Sequence, residues 1–494
     1  MDSAYHFLLT QPDAVTDPRF SSSHTNSSAS LPTAHGWQPI DRWVAGVTGF
    51  SLIILSCLVF LGFYAPPQVR DFNWQEQRVT AQDRQLVLTF NRPMDGGSVE
   101  DHFQISPALP GRSHWLGYRF IYTLDQPAPY GQVYQVRLEG ARDQRGREMT
   151  QPFQGAFRTP DRQLLLIGAT GEAAGRLLLF NLETGSQSFL TAADQKVTQV
   201  QVAGDGDTIF YFATLDTLQN QDLYQFSLRQ QTTTLLLDHQ AWQNLRLENS
   251  PDGTLLIVER ISRENPGEIR LWSKALSEQR FRLLDLTSDG GGDFLITPDN
   301  TSLLMAQGQG LSILPLDSSV AGSAADFLPQ FGQAIAMQPD GSHAALVAFN
   351  PDYTRSLWIV SNTGRSQSVL TTDGGIVAGR FSPDGEIFYC LTHRRNPDYT
   401  ESPLLLALHW QTQHSIPLVE AEFPTQLEFS LSPDGRSLVY SRLQPSEGIP
   451  NPRAPLSKTG QAIANSQIYR LDLTQDPPTP QPLPPAGVNP VWIP

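Results

Sequence analysis

Two short stretches carry residue types suited to recognition chemistry. Asn350-Pro351-Asp352-Tyr353-Thr354 recurs unchanged as Asn396-Pro397-Asp398-Tyr399-Thr400. Arg355 follows the first copy, and Arg394-Arg395 precede the second. Tyrosine offers a large amphipathic surface and arginine a planar charged fork, two types enriched at binding hot spots. Tyr353, Arg355, Arg394, Arg395 and Tyr399 are therefore the candidate partner-binding residues. The same stretches have a plainer reading: Asn-Pro-Asp makes a good turn, and two copies can record a repeat duplication.

Catalytic chemistry finds less support. The ten histidines form no His-x-His or His-x-x-x-His cluster, so no metal is expected. No Gly-x-Ser-x-Gly elbow occurs, and no glycine-rich loop follows a strand and opens a helix, so neither a serine hydrolase site nor a nucleotide cofactor is expected. The aspartates of recurring Pro-Asp-Gly turns look like calcium ligands, but a turn role explains them more directly. With no catalytic constellation, the leading reading is a binding or scaffold protein with a protein, peptide or glycan partner. The alternatives are a propeller hydrolase or lyase using an axial channel, and a purely structural cell-envelope protein.

The elements that would position these residues come from an internal repeat. Ser250-Pro251-Asp252-Gly253, Thr297-Pro298-Asp299-Asn300, Gln338-Pro339-Asp340-Gly341, Ser382-Pro383-Asp384-Gly385 and Ser432-Pro433-Asp434-Gly435 recur, with Gly204-Asp205-Gly206 as a degenerate copy. Successive marker aspartates lie 47, 47, 41, 44 and 50 residues apart, the length of a four-stranded blade. Strands follow each marker, as in Leu255-Leu256-Ile257-Val258 and Leu357-Trp358-Ile359-Val360. Before the first marker unit, Leu164 to Ile167, Leu177 to Phe180 and Ser188 to Leu190 supply three strands without an innermost one. Asn489-Pro490-Val491-Trp492-Ile493-Pro494 supplies an innermost strand with nothing after it. Together they predict an all-β, seven-bladed propeller over 161–494, closed by the C-terminal strand. If each blade runs a, b, c, d outward, the Pro-Asp-Gly turns share one face. The b–c loops share the other, with both Asn-Pro-Asp-Tyr-Thr copies and a long insertion near 444–465 that could act as a flap. Innermost segments such as Gln199 to Val202, Asp293 to Ile296, Ala334 to Met337 and Val377 to Phe381 are mostly apolar or amide-bearing, with Arg380 the main exception. This weighs against axial catalysis.

The repeats resemble the Pro-Asp type of WD-like repeat found in the periplasmic TolB propeller and in the propellers of prolyl oligopeptidase-type enzymes. The enzymes need an attached α/β-hydrolase domain, for which no room remains. Upstream, 70–160 reads as short alternating strands such as Gln85 to Phe90 and Val133 to Leu138, separated by turn signals, which predicts a β-sandwich. Phe90-Asn91-Arg92-Pro93-Met94-Asp95 resembles the signature of the bacterial Ig-like domain of surface-layer proteins. Phe103 to Pro107, Tyr134 to Gly140 with Asp143 and Gly146, and Phe157 to Pro160 match its later strands. That resemblance implies an extracytoplasmic spacer or adhesion module.

Trp43 to Tyr64 contains no charged residue. Its length, and aromatic Trp37, Trp43 and Tyr64 near its ends, predict a transmembrane helix over 43–65. Pro66-Pro67 stops it. The polar stretch 1–42 reads as a disordered tail. The charges flanking the helix do not fix orientation; the resemblances place the tail inside and the C-terminal domains outside. A net charge of −15 argues against a nucleic-acid partner, which requires a basic face. Cys57 and Cys390 lie in separate elements and predict no disulfide framework.

Overall fold

The computed structural model describes residues 39–284, 291–308, 310–316, 326–421, 426–445 and 463–494. Most of the polar N-terminal stretch and most of the expected flap, 446–462, lie outside the described residues. The chain divides into two compact units, Met1–Ala65 and Pro66–Pro494.

In the first unit a helix spans Pro39–Tyr64. The membrane expectation is nevertheless corrected: among the described residues no helix is long and apolar enough to cross a membrane. The stretch 42–56 mixes apolar residues with small and hydroxyl-bearing ones. Gly46, Thr48, Gly49, Ser51 and Ser56 dilute the apolar character of that stretch. The single-pass anchor, the membrane as a partner and the assignment of the two termini to opposite sides fall with it.

The second unit is all-β apart from short helical turns. Its first part holds two antiparallel sheets. One has four strands: Val69–Phe72, Gln85–Phe90, Arg119–Leu124 and Gly111–Leu116. The other has three: Phe103–Ser106, Val133–Leu138 and Phe153–Arg158. Alternation builds the core between them: in Val133–Leu138, Tyr134, Val136 and Leu138 are buried while Val133, Gln135 and Arg137 are exposed. Tyr134 stacks on Phe157 at 5.0 Å between centroids. The two stretches that carry the Ig-like resemblance meet in space. Asp143 accepts from the backbone N–H of Arg145 (3.0 Å) and Arg147 (2.9 Å) and from Arg147 Nε (2.9 Å). Arg92 Nη1 lies 3.6 Å from Asp143 Oδ2.

From Gln163 onward the chain forms a β-propeller of four-stranded antiparallel sheets. The first sheet is composite. Gly487–Trp492 pairs with Gln163–Gly168, followed by Leu177–Asn181 and Gln187–Phe189. Its register sets Val488 opposite Ile167 and Trp492 opposite Leu164, so the strand expected at the C-terminal end is present. Among the described residues, further four-stranded sheets follow in sequence order, beginning with Lys196–Val202, Trp242–Asn249, Phe294–Ile296, Gln333–Met337, Ile376–Phe381 and Gln426–Leu431. Second strands are covered on both faces by neighbouring sheets; Thr208–Thr214 is buried at every position.

Polar ties join successive sheets. Gln199 Nε2 donates to Leu247 O at 2.7 Å, and Arg246 Nη1 donates to Asp293 Oδ1 at 2.8 Å. Gln338 Nε2 reaches Gly385 O of the next sheet at 2.8 Å, an oxygen that also accepts from Trp410 Nε1 of its own sheet at 2.8 Å. Trp492 Nε1 reaches Ser430 O at 3.2 Å.

The marker turns show why the repeat is so regular. In each Ser-Pro-Asp-Gly the glycine takes φ near +70°: 67° at Gly253, 76° at Gly385 and 71° at Gly435. One aspartate oxygen accepts from the serine hydroxyl and from the backbone N–H two residues on. The second oxygen is free to meet a neighbour, which decides how the sandwich sits. Asp384 Oδ2 accepts from Gln126 Nε2 (3.2 Å), and the buried Asp434 Oδ2 accepts from the Tyr130 backbone N–H (3.0 Å). Gln82 Nε2 reaches Asp252 O at 3.4 Å. The sandwich thus packs onto the face that carries the Pro-Asp-Gly turns, where the sequence alone suggests a spacer. The aspartates are engaged as turn and docking acceptors, and no group of three or more potential ligands for a metal occurs among the described residues.

Candidate interaction face

The structure places all five candidate residues at the b–c edges of two successive sheets, on the face opposite the docked sandwich. Tyr353 lies between His343–Phe349 and Arg355–Ser361, and Tyr399 between Ile387–Arg395 and Glu401–His409. The two loops are built alike. Asn350 N–H donates to Thr354 O (2.9 Å) and Tyr353 N–H to Asn350 O (3.0 Å); the matching distances at Asn396 and Tyr399 are 2.8 and 3.0 Å. Asn350 Nδ2 bridges Thr354 Oγ1 and Ser356 Oγ, both at 2.8 Å. Asn396 Nδ2 does the same with Thr400 (2.9 Å) and Ser402 (2.8 Å). The Thr354 and Thr400 hydroxyls each donate to the loop aspartate at 2.6 Å. Those bonds hold Asp352 and Asp398 below the ordinary carboxylate range.

The tyrosines occupy the position where a turn of this kind usually has glycine. Both have φ of 66°, in the left-handed region, at a cost on the order of 1–2 kcal/mol for a residue with a Cβ. Neither ring recovers that cost by burial: Tyr353 is 90% exposed and Tyr399 84%. Each loop therefore holds an aromatic ring in solvent from a strained backbone. The marker turns, which solve a similar steric problem, use glycine or asparagine.

The arginines are positioned unequally. Arg355 Nη1 donates to Gly374 O at 2.9 Å, and its guanidinium lies 5.9 Å from the Phe349 ring centre. Gly374 must be glycine, because a Cβ there would fall 1.9 Å from His393 O. Gly375 O in turn accepts from His393 N–H at 2.7 Å. This chain of contacts links the first loop to the strand that leads into the second. Arg394 pairs with Glu420, and Arg395 is exposed beside it. Around the second loop Arg394, Asn396, Asp398, Thr400, Ser402, Glu420 and Ala421 line an open depression of about 660 Å³. Arg263, on the third sheet's b–c loop, is a brace: it donates to His239 O and Gln219 O, both at 2.6 Å.

The innermost strands carry charged residues besides Arg380. Arg246 and Glu248 lie on Trp242–Asn249, and Glu428 on Gln426–Leu431. Arg246 holds Glu248 (3.1 Å) and Asp293 (2.8 Å), and its guanidinium lies 4.6 Å from the Phe294 ring centre. Burial pushes the Glu259 carboxyl up, opposed by Arg246 and reinforced by Asp293. Glu428 accepts from Asn489 N–H at 2.7 Å. Reading the strand before every marker turn, not a sample of them, would have found these residues. Glu428 also accepts from the buried Ser441 hydroxyl at 3.5 Å, and no histidine joins these carboxylates among the contacts described.

No family model and no curated protein matches the sequence. Among solved structures, the chain is similar to TolB from Acinetobacter baumannii, at 14% identity over 65% of this chain and 81% of that one, with a TM-score of 0.38. It is similar to an oligogalacturonate lyase from Vibrio parahaemolyticus at 12% identity, over 68% and 94% of the two chains, with a TM-score of 0.43. A putative 6-phosphogluconolactonase from Bacteroides uniformis shows 13% identity over 67% and 99%, with a TM-score of 0.44. Two of these neighbours carry enzyme names, and none decides the function of this chain.

Proposed function

We propose that the chain is a binding and scaffold protein, not an enzyme. It is read as a ring of seven blades closed by the C-terminal strand, capped on its Pro-Asp-Gly face by an Ig-like sandwich. It presents the opposite face to a partner. The observation that carries this reading is the pair of solvent-exposed tyrosines held at φ of 66° on identical loops. Strain kept without burial points to a role outside the fold, and the sandwich already takes up the other face. The rival reading, an axial enzyme, draws on Arg246, Glu248 and Asp293, which are spent on one another.

The test is crosslinked capture from a lysate with the wild-type chain and with Arg394→Ala, Arg395→Ala and Tyr399→Ala combined. The fold is expected to survive, because Arg394 and Glu420 are each about half exposed and such pairs contribute roughly 0–1 kcal/mol. Species captured by wild type and lost from the triple variant are the expected result. An identical set from both proteins rejects this face.

A further inference from the structure

We infer that the ligand of this face is a linear, uncharged glycan, with one sugar ring taken by each tyrosine; the inference rests on the binding-module reading above and narrows it. In the depression at the second loop the Asn396 amide N–H groups and the Thr400 hydroxyl are bonded within the loop. The Asn396 side-chain carbonyl, the second oxygen of Asp398 and the Arg394–Glu420 ion pair supply the remaining polar capacity, with Ala421 as the one apolar residue of the lining. A protein hot spot needs an apolar pocket that desolvates its anchor, and this lining supplies none. A sugar needs the reverse: one aromatic face for its C–H surface, and around it fixed donors and acceptors for hydroxyls that act as both.

Backbone recognition of a peptide has little to work with here. The loop N–H groups of Asn350, Tyr353, Asn396 and Tyr399 are already bonded within the loops, so they give an added strand nothing to pair with. The charges on the lining are engaged locally. Arg394 is matched by Glu420, and Asp398 accepts from the hydroxyl and N–H of Thr400. A charged ligand would have to break these contacts. Finally, the two loops share sequence, hydrogen bonding and φ, and stand one repeat apart. Two like tyrosine-bearing loops at a regular step suit a ligand that is itself a chain of like units.

Calorimetric titration of the full chain with cellohexaose, chitohexaose and maltohexaose, and with polygalacturonate as the charged arm, tests this. Wild type, Tyr353→Gly, Tyr399→Gly and the double variant are compared, with melting curves confirming that each is folded. Binding of at least one neutral hexasaccharide is expected, weakened about tenfold by either single change, the size of one lost stacking contact of roughly 1.4 kcal/mol. The double change should weaken it further than either. Wild type that binds none of the neutral chains at millimolar concentration, that prefers the polyuronate, or whose glycine variants bind unchanged overturns the glycan assignment. The interaction face itself is judged separately by the capture experiment. A protein lost there on triple substitution, with no saccharide bound here, rejects the glycan and leaves the face standing.

Discussion

Removing residues 488–494 is expected to abolish the cooperative unfolding transition of the propeller. These residues supply the innermost strand of the composite sheet. Val488, Trp492 and Ile493 are buried, Trp492 to 4% exposure. Trp492 packs with Leu164, Leu166 and Phe180 of its own sheet and with Val439 of the last one. Ile493 and Val488 pack with Leu165, Ile167 and Val197, so they join the first sheet to the second. Each of these side chains is worth about 1.5–3 kcal/mol in burial alone, against total stabilities of about 5–15 kcal/mol for a typical domain. The deletion would also open two sheet edges to pairing with other chains. Trp492→Ala is the graded version, expected to cost about 3–5 kcal/mol through its cavity. Thermal unfolding followed by circular dichroism checks both. An unchanged melting curve for the truncated chain would be incompatible with ring closure.

The second large effect is expected at Asp143. Asp143→Ala should destabilise the sandwich by about 3 kcal/mol, because it strands two backbone N–H groups and leaves the Arg147 and Arg92 guanidinium groups facing a vacated acceptor site. Burial alone would raise this carboxyl. The N–H groups of Arg147 and Arg145 and the Arg147 charge outweigh it, and the group sits below its ordinary value. A lowered native pKa means the carboxylate's contribution is present at neutral pH. It drains away as pH falls through the ordinary carboxylate range and then through the native value. The melting temperature of Asp143→Asn should therefore lie furthest below wild type at neutral pH, with the gap closing on acidification. A gap that widens in acid would show that the charge of Asp143 does not stabilise the fold.

The propeller was legible because its information is local. Proline, aspartate and a residue tolerant of positive φ make the same turn at Asp252, Asp384 and Asp434 wherever they occur, and the strands after them are apolar runs. The composite sheet followed from counting strands at both ends. The seat of the sandwich was not legible, since it depends on a backbone N–H at Tyr130 meeting the spare oxygen of Asp434, 304 positions away. The candidate loops were found by their repetition, but their strain was missed. Aligning Asn-Pro-Asp-Tyr with Ser-Pro-Asp-Gly sets tyrosine where the turn wants glycine, and that mismatch was the available signal. The helix over Pro39–Tyr64 is legible in its uncharged run, but absence of charge is not enough to make a span, because glycine, threonine and serine dilute its apolar character.

The claim that strain at Tyr353 and Tyr399 is kept for recognition meets its most direct test in one double variant, Tyr353→Gly/Tyr399→Gly, assayed for stability and for capture together. Glycine adopts φ of +66° without penalty, and the exposed rings contribute little packing. The account predicts a melting temperature equal to or above that of wild type, with loss of the captured ligand. A variant that melts lower and captures normally would show that the tyrosines serve the fold, and would contradict the account.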